Sequence, residues 1–413
     1  MTRGRRNGAA RRAIPTPIPR VCAAASGHSV MAAFARLGPI NDMTDVLYNA
    51  ASNDAASLLA SEQLMHLLDG WKYASAAFSA YLANSRSAAT HFAYYAELRA
   101  AMSLFAGSGI RINQDDSYYL DSTGNRNAII GDTRTHSITW AVWQEWIKRQ
   151  DAIELLTHHV RLISGVSLKD FAGSGNLMSF ALQHWGYDLL SLANDRGARN
   201  KASYIPTISS PLHQMLDLEA NLIKRIWSLL LPTEHGVGFD TALINFLITK
   251  TARAYHQADP NKSIDEHVAL IIDGASTQTG VDARLIRSLL VDSQPDIELF
   301  EKAANQSNDV GNVLCRALFL LRMASLSVEN AMSANGPDPA AKWLRNWLSS
   351  GGLYEEQEID PRDLSEDYRV AQGEYFIGTS SLPHCLWSPS EPNLPSSARL
   401  VRPDAFMAWA IAL

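Results

Sequence analysis

The stretch Ser87-Ala-Ala-Thr-His-Phe-Ala-Tyr-Tyr-Ala-Glu-Leu-Arg-Ala-Ala-Met-Ser-Leu-Phe105 carries the clearest structural signal in this sequence. Its apolar side chains recur every three or four residues, at Ala88, Phe92, Tyr95, Leu98, Met102 and Phe105. Because an α-helix has about 3.6 residues per turn, this spacing places them on one helical face. Gly107 and Gly109 follow, and glycine is common just beyond a helix end. The stretch therefore predicts a long α-helix that ends near Gly107.

The same periodicity recurs along most of the chain and predicts a mainly α-helical protein. Further helices are predicted from Asp54 through Leu68, and over 71–82, 135–150, 152–164, 176–194, 212–231, 239–257, 263–274, 281–291 and 308–332. The helix over 176–194 is expected to stop near Gly197. Residues 110–134 instead contain short alternating apolar runs around Asp121-Ser-Thr-Gly-Asn125, which predict a β-hairpin or an ordered loop.

Shifts in composition divide the chain into four predicted regions. They are a disordered basic arm at 1–42, a helical bundle at 43–210 with the insertion at 110–134, a second helical region at 211–332, and a region at 333–413 that holds a short helix and a proline-rich tail packed on the body. Trp343 and Trp347 mark the short helix. The closing residues 405–413 are apolar enough to require burial.

The net charge of −6 is unevenly distributed along the chain. Residues 1–42 contain seven arginines and one acidic residue, whereas the chain from Met43 onward contains 29 basic and 41 acidic residues. Phosphate affinity depends on neutralisation by Lys and Arg, so an acidic body favours nucleic-acid contact only at a local patch. The arm resembles a targeting leader in composition, but Pro15, Pro17 and Pro19 interrupt its apolar residues. A disordered arm ahead of a natural start at Met43 is therefore predicted.

Several classes of protein find no support in the residues. The longest apolar candidate for a membrane span, Val313–Met323, is interrupted by Arg316 and Arg322, so no span is predicted. The three cysteines are isolated, which favours a reducing cytoplasm over a disulfide framework. No phosphate-binding glycine loop, nucleophile elbow or metal-ligand spacing is present, and we expect neither a cofactor nor a metal.

One candidate site lies in Asp195-Arg-Gly-Ala-Arg-Asn-Lys-Ala-Ser-Tyr-Ile-Pro206. Arg199 and Asn200 precede Tyr204 by five and four residues, and the candidate phosphate-binding or RNA-binding residues are Arg196, Arg199, Asn200, Lys201, Tyr204 and His136. A tyrosine is a poor base at neutral pH but donates hydrogen bonds and stacks on bases. A structural role, in which Asn200 caps the backbone and Tyr204 packs, is the alternative.

A second candidate is the pair Arg86 and His91, separated by four residues. Histidine can move protons at a ribose 2′-hydroxyl, and arginine can hold the phosphate and its developing charge, which would allow RNA cleavage without metal. Five residues along a helix turn the two side chains apart unless Arg86 lies in the first turn. The structural alternative is a solvated Arg86 and a packed His91.

His136 is predicted at the first turn of the helix over 135–150, next to Trp140, Trp143 and Trp146. The positive end of a helix disfavours protonation of a histidine. Three tryptophans at this spacing are typical of a core face, and we predict that they are buried.

The segment Arg86–Gly107, with its alanine-rich helix and Tyr94-Tyr95 pair, resembles the second-helix signature of HEPN-like proteins. Thr135-His136 and Arg199-Asn200-Lys-Ala-Ser-Tyr204-Ile-Pro206 resemble later landmarks of the bacterial YaaC-like branch. The resemblance spans about residues 50–210. It implies a HEPN-like helical bundle, which typically dimerises and occurs in ribonucleases, toxins and anti-phage systems. Arg199 and Asn200 match the arginine and polar neighbour of that family, whereas Tyr204 stands where the family has a catalytic histidine.

The resemblance leads to three functional expectations. The first is a non-catalytic helical subunit of a bacterial anti-phage complex, which binds a protein partner such as an ATPase or nuclease subunit, and RNA or a nucleotide, and which can form a homodimer. The second is a metal-independent ribonuclease or toxin that uses Arg86 and His91, or Arg199 with His136 or His184. The third is a regulatory or phage-sensing protein without nucleic-acid contact. None of the three involves a membrane.

Overall fold

The computed structural model describes residues 15–37, 54–83, 85–114, 116–130, 134–171, 192–204, 217–335, 361–377 and 399–410. The protein is mainly α-helical, as predicted: 74% of the described residues are helical and 6% lie in strands.

The helices are α1 (Ile18–Ala24), α2 (His28–Ala33), α3 (Ala55–Leu82), α4 (Arg86–Gly107), α5 (Thr135–Trp146), α6 (Gln150–Glu154), α7 (Leu192–Tyr204), α8 (Asp217–Leu230), α9 (Gly238–Ala258), α10 (Ile264–Thr279), α11 (Ala283–Arg287), α12 (Glu298–Ala304), α13 (Val310–Ser333), α14 (Pro361–Ile377) and α15 (Phe406–Ala410). The sequence pattern did not predict α12 or α14.

The strands form three small antiparallel sheets. They are β1 (Ile110–Arg111), β2 (Tyr118–Leu120), β3 (Arg126–Ala128), β4 (Arg161–Ile163), β5 (Val166–Ser167), β6 (Pro232–Thr233) and β7 (Gly236–Val237). The sheet β1-β2-β3 occupies the segment in which alternating apolar runs were found. Residues 152–164, predicted as one helix, instead form the end of α6, a π-helical turn and strand β4, in which Leu162 is buried.

Helix α13 lies at the centre of the protein, where it packs against both α3 and α4. Among the described residues, it alone is long and apolar enough to cross a membrane, and 94% of its most apolar stretch is buried inside the protein. Such burial is typical of the core helix of a soluble protein. Its two arginines are neutralised in the core: Arg316 pairs with Asp195, and Arg322 with Asp240.

Helix α3 is continuous where the sequence pattern predicted two helices separated near Gly70. A Cβ atom at Gly70 would lie 2.7 Å from Cδ2 of Leu321 in α13. The glycine therefore allows two long helices to approach closely, and tertiary packing outweighs its weak helix propensity.

The prediction of a disordered arm at 1–42 is wrong for residues 15–37. This N-terminal segment forms α1 and α2 and buries apolar side chains that include Val21, Val30 and Phe34. Arg149 holds it in place by donating 3.0 Å hydrogen bonds to the carbonyl oxygen of Ala25. A charge-rich and proline-rich composition suggests disorder, but a few apolar residues suffice to dock a segment when the body provides a groove.

The N-terminal segment crosses the end of α4 in close contact with Gly109. Gly109 adopts a left-handed backbone with φ of 80°, and a Cβ atom there would lie 2.1 Å from the carbonyl oxygen of Ser26. The amide of Ser26 donates a 2.8 Å hydrogen bond to the carbonyl oxygen of Leu120. Gly109 therefore has two functions, since it ends the helix and admits a neighbouring chain segment.

The C-terminal residues complete the core instead of forming a separate layer. Phe406 packs on Trp71 of α3 with ring centroids 5.1 Å apart, and Trp409 donates a 2.8 Å hydrogen bond to the carbonyl oxygen of Leu230. The region at 333–413 also contains the 17-residue helix α14, which the predicted single short helix and irregular tail did not include. The predicted short helix around Trp343 and Trp347 lies outside the described residues.

The predicted division at residue 210 does not separate two cores. One continuous cluster of buried apolar residues extends from Val21 to Ala410. Helix α13 belongs to the second predicted region, yet it packs mainly against α3 and α4 of the first. Long-range packing of one apolar helix therefore joins the two predicted regions around a shared core.

Candidate functional site

The start of α5, one face of α7 and Gln114 line a cavity of about 660 Å³. We call it the arginine pocket, and its lining residues are Gln114, Arg134, Thr135, His136, Ser137, Arg196, Arg199 and Asn200. Helix α7 contributes Arg196, Arg199 and Asn200, whose spacing of three and four residues places them on one helical face. The first turn of α5 contributes His136. Helix α4 supports both from below through Tyr94 and Tyr95.

His136 is held by both ring nitrogens. Its Nε2 lies 3.1 Å from a terminal nitrogen of Arg199, and its Nδ1 lies 3.1 Å from the hydroxyl oxygen of Tyr94. Arginine has no acceptor, so Nε2 must accept from Arg199 and the ring proton must reside on Nδ1. The imidazole is therefore neutral and donates to Tyr94, which leaves no free lone pair for a base.

Arg199 is the hub of the arginine pocket. The terminal nitrogen that binds His136 also donates a 2.8 Å hydrogen bond to the hydroxyl of Tyr95, and the other donates one to Oδ1 of Asn200. Its guanidinium carbon lies 5.2 Å from the ring centroid of Tyr95 and 5.6 Å from that of Tyr94. These contacts orient the side chain, while its buried Nε has no hydrogen-bond partner.

The first turn of α5 opens into the same cavity. The residue before the helix, Arg134, provides no side-chain cap. Among the described backbone hydrogen bonds of this turn, the first donors are the amides of Ser137 and Ile138, which both bind the carbonyl oxygen of Arg134. Arg196 donates a 2.9 Å hydrogen bond to the hydroxyl of Ser137, which ties α7 to this turn. An uncapped helix start presents N–H groups and a partial positive charge, and both favour an anion.

The described residues that line the arginine pocket include no aspartate or glutamate. Neither Arg196 nor Arg199 forms an ion pair with a carboxylate of the described chain. The protein from Met43 onward is acidic, so phosphate contact is expected only at a local basic patch. The arginine pocket, with several arginines in its lining, is such a patch.

Both histidines near Arg199 have lowered pKa values. Burial lowers the pKa of His136 below 6.5, and the charges of Arg199, Arg196 and Arg99 act in the same direction. Burial and the charge of Arg199 also lower the pKa of His91. The direction at His136 agrees with the sequence prediction, although burial and arginine charges are its main causes. Both shifts favour the neutral imidazole at physiological pH.

Helix α7 runs through Gly197, where the sequence pattern predicted a helix end. A buried ion pair anchors it, because Arg316 donates 2.8 and 2.9 Å hydrogen bonds to the two carboxylate oxygens of Asp195. Both side chains are fully buried. Arg196 follows Asp195 directly, so the same pair that overrides the glycine also sets the position of the pocket arginines.

Glu97 of α4 lies beside this ion pair but forms no hydrogen bond with Arg316. Its carboxylate is fully buried, accepts no hydrogen bond, and lies 3.7 Å from Nε of Arg316. Burial, followed by the negative charge of Asp195, raises the pKa of Glu97 well above its usual range. Because an unpaired buried charge is very costly, Glu97 is protonated and Asp195 is the ionised partner of Arg316.

Glu97→Gln is expected to stabilise the protein at neutral pH, by a margin that grows as pH rises. The pKa of Glu97 is higher in the folded state than in the unfolded state, so its contribution to stability is complete below the unfolded pKa of about 4.5. This contribution is lost as pH rises through the folded-state pKa. Glutamine has no carboxyl proton to lose. Urea unfolding of both proteins between about pH 4 and pH 8 tests this, with Glu366→Gln on the surface as control. A pH-independent difference would contradict a buried neutral Glu97.

The remaining predicted residues lie elsewhere or outside the description. Lys201 is exposed on α7 and does not line the pocket. Arg86 lies 3.6 Å from the carboxylate of Asp309, whereas the ring of His91 lies 4.9 Å from that of Tyr95. The backbone of Tyr204 ends α7, but its side chain and all of His184 lie outside the described residues. Trp140, Trp143 and Trp146 are buried, as predicted.

Sequence reasoning did not assign site roles to Tyr94, Tyr95, Ser137, Gln114 and Arg134. Tyr95 follows His91 by one helical turn, and this spacing is the only local signal that could have linked the two. The other contacts join residues about 40 to 100 positions apart in sequence, such as Tyr94 with His136 and Tyr95 with Arg199. No family model, curated protein or solved structure matches this chain.

Proposed function

We propose that this protein is a non-catalytic helical protein that binds the phosphate groups of RNA or a nucleotide in the arginine pocket. The observation that carries this proposal is the convergence of Arg196, Arg199 and the start of α5, where Arg134 provides no side-chain cap, on a cavity whose described lining lacks carboxylates. Arginine donors and helix N-termini are the groups that proteins commonly present to phosphate.

The state of His136 supports binding without catalysis. A general base needs an available lone pair, and Nε2 of His136 already accepts from Arg199. By the resemblance, Tyr204 stands where HEPN-like ribonucleases have a catalytic histidine, and tyrosine is a poor general base at neutral pH. A protein partner, such as an ATPase or nuclease subunit of a cytoplasmic anti-phage complex, is part of the proposal through the resemblance to HEPN-like proteins.

Arg199→Gln is expected to weaken the binding of a fluorescent single-stranded RNA by at least about tenfold, because a charge-assisted hydrogen bond contributes about 1.5–3 kcal/mol. Fluorescence anisotropy at low salt provides the measurement. Lys201→Gln is the matched control, since it removes the same charge from the exposed side of the same helix. Equal losses in both variants would place the binding outside the arginine pocket, and no binding by the wild type to RNA or nucleotides would refute the proposal.

A metal-independent ribonuclease is the second candidate, and one observation favours it. His91 and His136 both lie against Tyr95, with ring centroids 4.9 and 5.8 Å from that ring, and both have lowered pKa values. If a bound phosphate drew Arg199 away, Nε2 of His136 would become available to take a proton. Cleavage of the same RNA in the presence of a chelator, abolished by His136→Ala, would establish this candidate in place of the first.

A further inference from the structure

We infer that the arginine pocket recognises a terminal phosphate monoester, a doubly charged group, in preference to the singly charged phosphodiester of an internal linkage. This inference rests on the proposed function and specifies its ligand. Two chemical sources carry such a group, namely the phosphorylated end of an RNA strand and a free nucleoside monophosphate.

Charge balance is the first reason. Three arginines, Arg134, Arg196 and Arg199, line the cavity, and the start of α5 adds a partial positive charge. The described lining residues provide no carboxylate to offset them. A phosphate monoester carries about −1.5 to −2 charges at neutral pH, so it neutralises more of this positive charge than a singly charged phosphodiester does.

The supply of donors is the second reason. A terminal phosphate has three oxygens free to accept hydrogen bonds, whereas an internal linkage has two. The arginine pocket offers the guanidinium N–H groups of Arg196 and Arg199 that are not already bonded within the protein, and the side-chain amides of Asn200 and Gln114. The amides at the start of α5 add donors from a third direction. Donors on three separate elements suit a group that presents three oxygens.

At neutral pH the charge of the arginine pocket comes from its arginines, because the two nearby histidines have lowered pKa values. The charged or titratable groups that face it are Tyr94, Tyr95, His91 and Arg99 from α4, Arg134 and His136 from the start of α5, and Arg196 and Arg199 from α7. The two histidines stay neutral above their lowered pKa values, and the arginines stay charged. As pH falls below about 6, a phosphate monoester loses its second negative charge, whereas a diester keeps its single charge.

The test compares two oligoribonucleotides of one sequence, with either a 5′-phosphate or a 5′-hydroxyl. At about pH 7.5 we expect the wild-type protein to bind the phosphorylated strand about tenfold more tightly, which corresponds to about 1.4 kcal/mol. The preference should shrink at about pH 5.5. Arg199→Gln and Arg196→Gln should abolish the preference while Lys201→Gln keeps it. The quantity compared is the ratio of the affinities for the two strands. Binding of the 5′-hydroxyl strand by the same variants shows that they are folded.

Competition with adenosine 5′-monophosphate and with inorganic phosphate distinguishes the sources. Displacement by the mononucleotide at concentrations near those of the phosphorylated strand supports a small nucleotide, and its failure alongside a retained preference supports a strand end. Equal affinity for the two strands would overturn the inference and leave the proposed phosphate binding in place. Failure of every phosphate ligand to bind would overturn both.

Discussion

Arg316→Met is expected to lower the free energy of unfolding by about 3–5 kcal/mol, because it leaves the carboxylate of Asp195 buried without its partner. Arg316 and Asp195 are both fully buried. A terminal nitrogen of Arg316 also donates a 2.6 Å hydrogen bond to the carbonyl oxygen of Asn305. Methionine retains much of the side-chain volume, so most of the loss reflects charge and hydrogen bonding. Denaturant unfolding measures it.

Two further variants separate this effect from a general loss of charge. Arg225→Met removes a half-exposed arginine that pairs with Asp296, and it should cost no more than about 1 kcal/mol. The double variant Arg316→Met with Asp195→Leu should recover much of the loss, since an apolar pair leaves no buried charge. If the single Arg316 variant cost as little as the surface variant, the buried pair would not anchor α7.

Phe34→Ala is expected to destabilise the protein by about 3–5 kcal/mol, the usual cost of truncating a fully buried phenylalanine. Phe34 is 1% exposed and lies in the segment that composition marked as a disordered arm. A chain that starts at Met43 would lose Phe34 together with Val21, Val30 and Ala33, which are also buried. Because natural domains are stable by only about 5–15 kcal/mol, this shortened chain should fail to fold.

Met31→Ala is the matched control for the N-terminal segment, because Met31 lies on α2 but is 36% exposed. Its loss should be well below that of Phe34→Ala in thermal or denaturant unfolding. A shortened chain that unfolds cooperatively at the same midpoint as the full chain would contradict the buried role of the segment.

Periodicity was a sufficient guide for the long helices, and the reason is local. Helices α4, α9, α10 and α13 have apolar residues at intervals that match one helical face, and their observed bounds lie within a few residues of the predicted ones, apart from the end of α10. The burial of Trp140, Trp143 and Trp146 followed from the same spacing.

The pattern was misleading wherever distant contacts outweighed local preference. Gly70 and Gly197 both lie inside helices, because packing against Leu321 in one case and the Asp195–Arg316 pair in the other offsets the weak propensity of glycine. The N-terminal segment is helical because α1 packs on α5, α2 packs on α3, and its few apolar residues are buried there. The contacts of Gly70, of Asp195 and of α1 join residues more than 100 positions apart, and none of them leaves a periodic trace in the sequence.

The candidate site divides in the same way. The sequence by itself singled out Arg196, Arg199 and Asn200 as candidates, placed His136 at a helix start, and restricted phosphate contact to a local patch of an acidic chain. It predicted a helix end near Gly197, so the shared helical face of the three candidates is known only from the structure. Only the tertiary structure decided that these groups meet over Tyr94 and Tyr95, and that Lys201 and Arg86 lie apart from them. The physical reason is that helical spacing sets which side chains share a face, whereas packing around α13 and its buried arginine sets which faces meet.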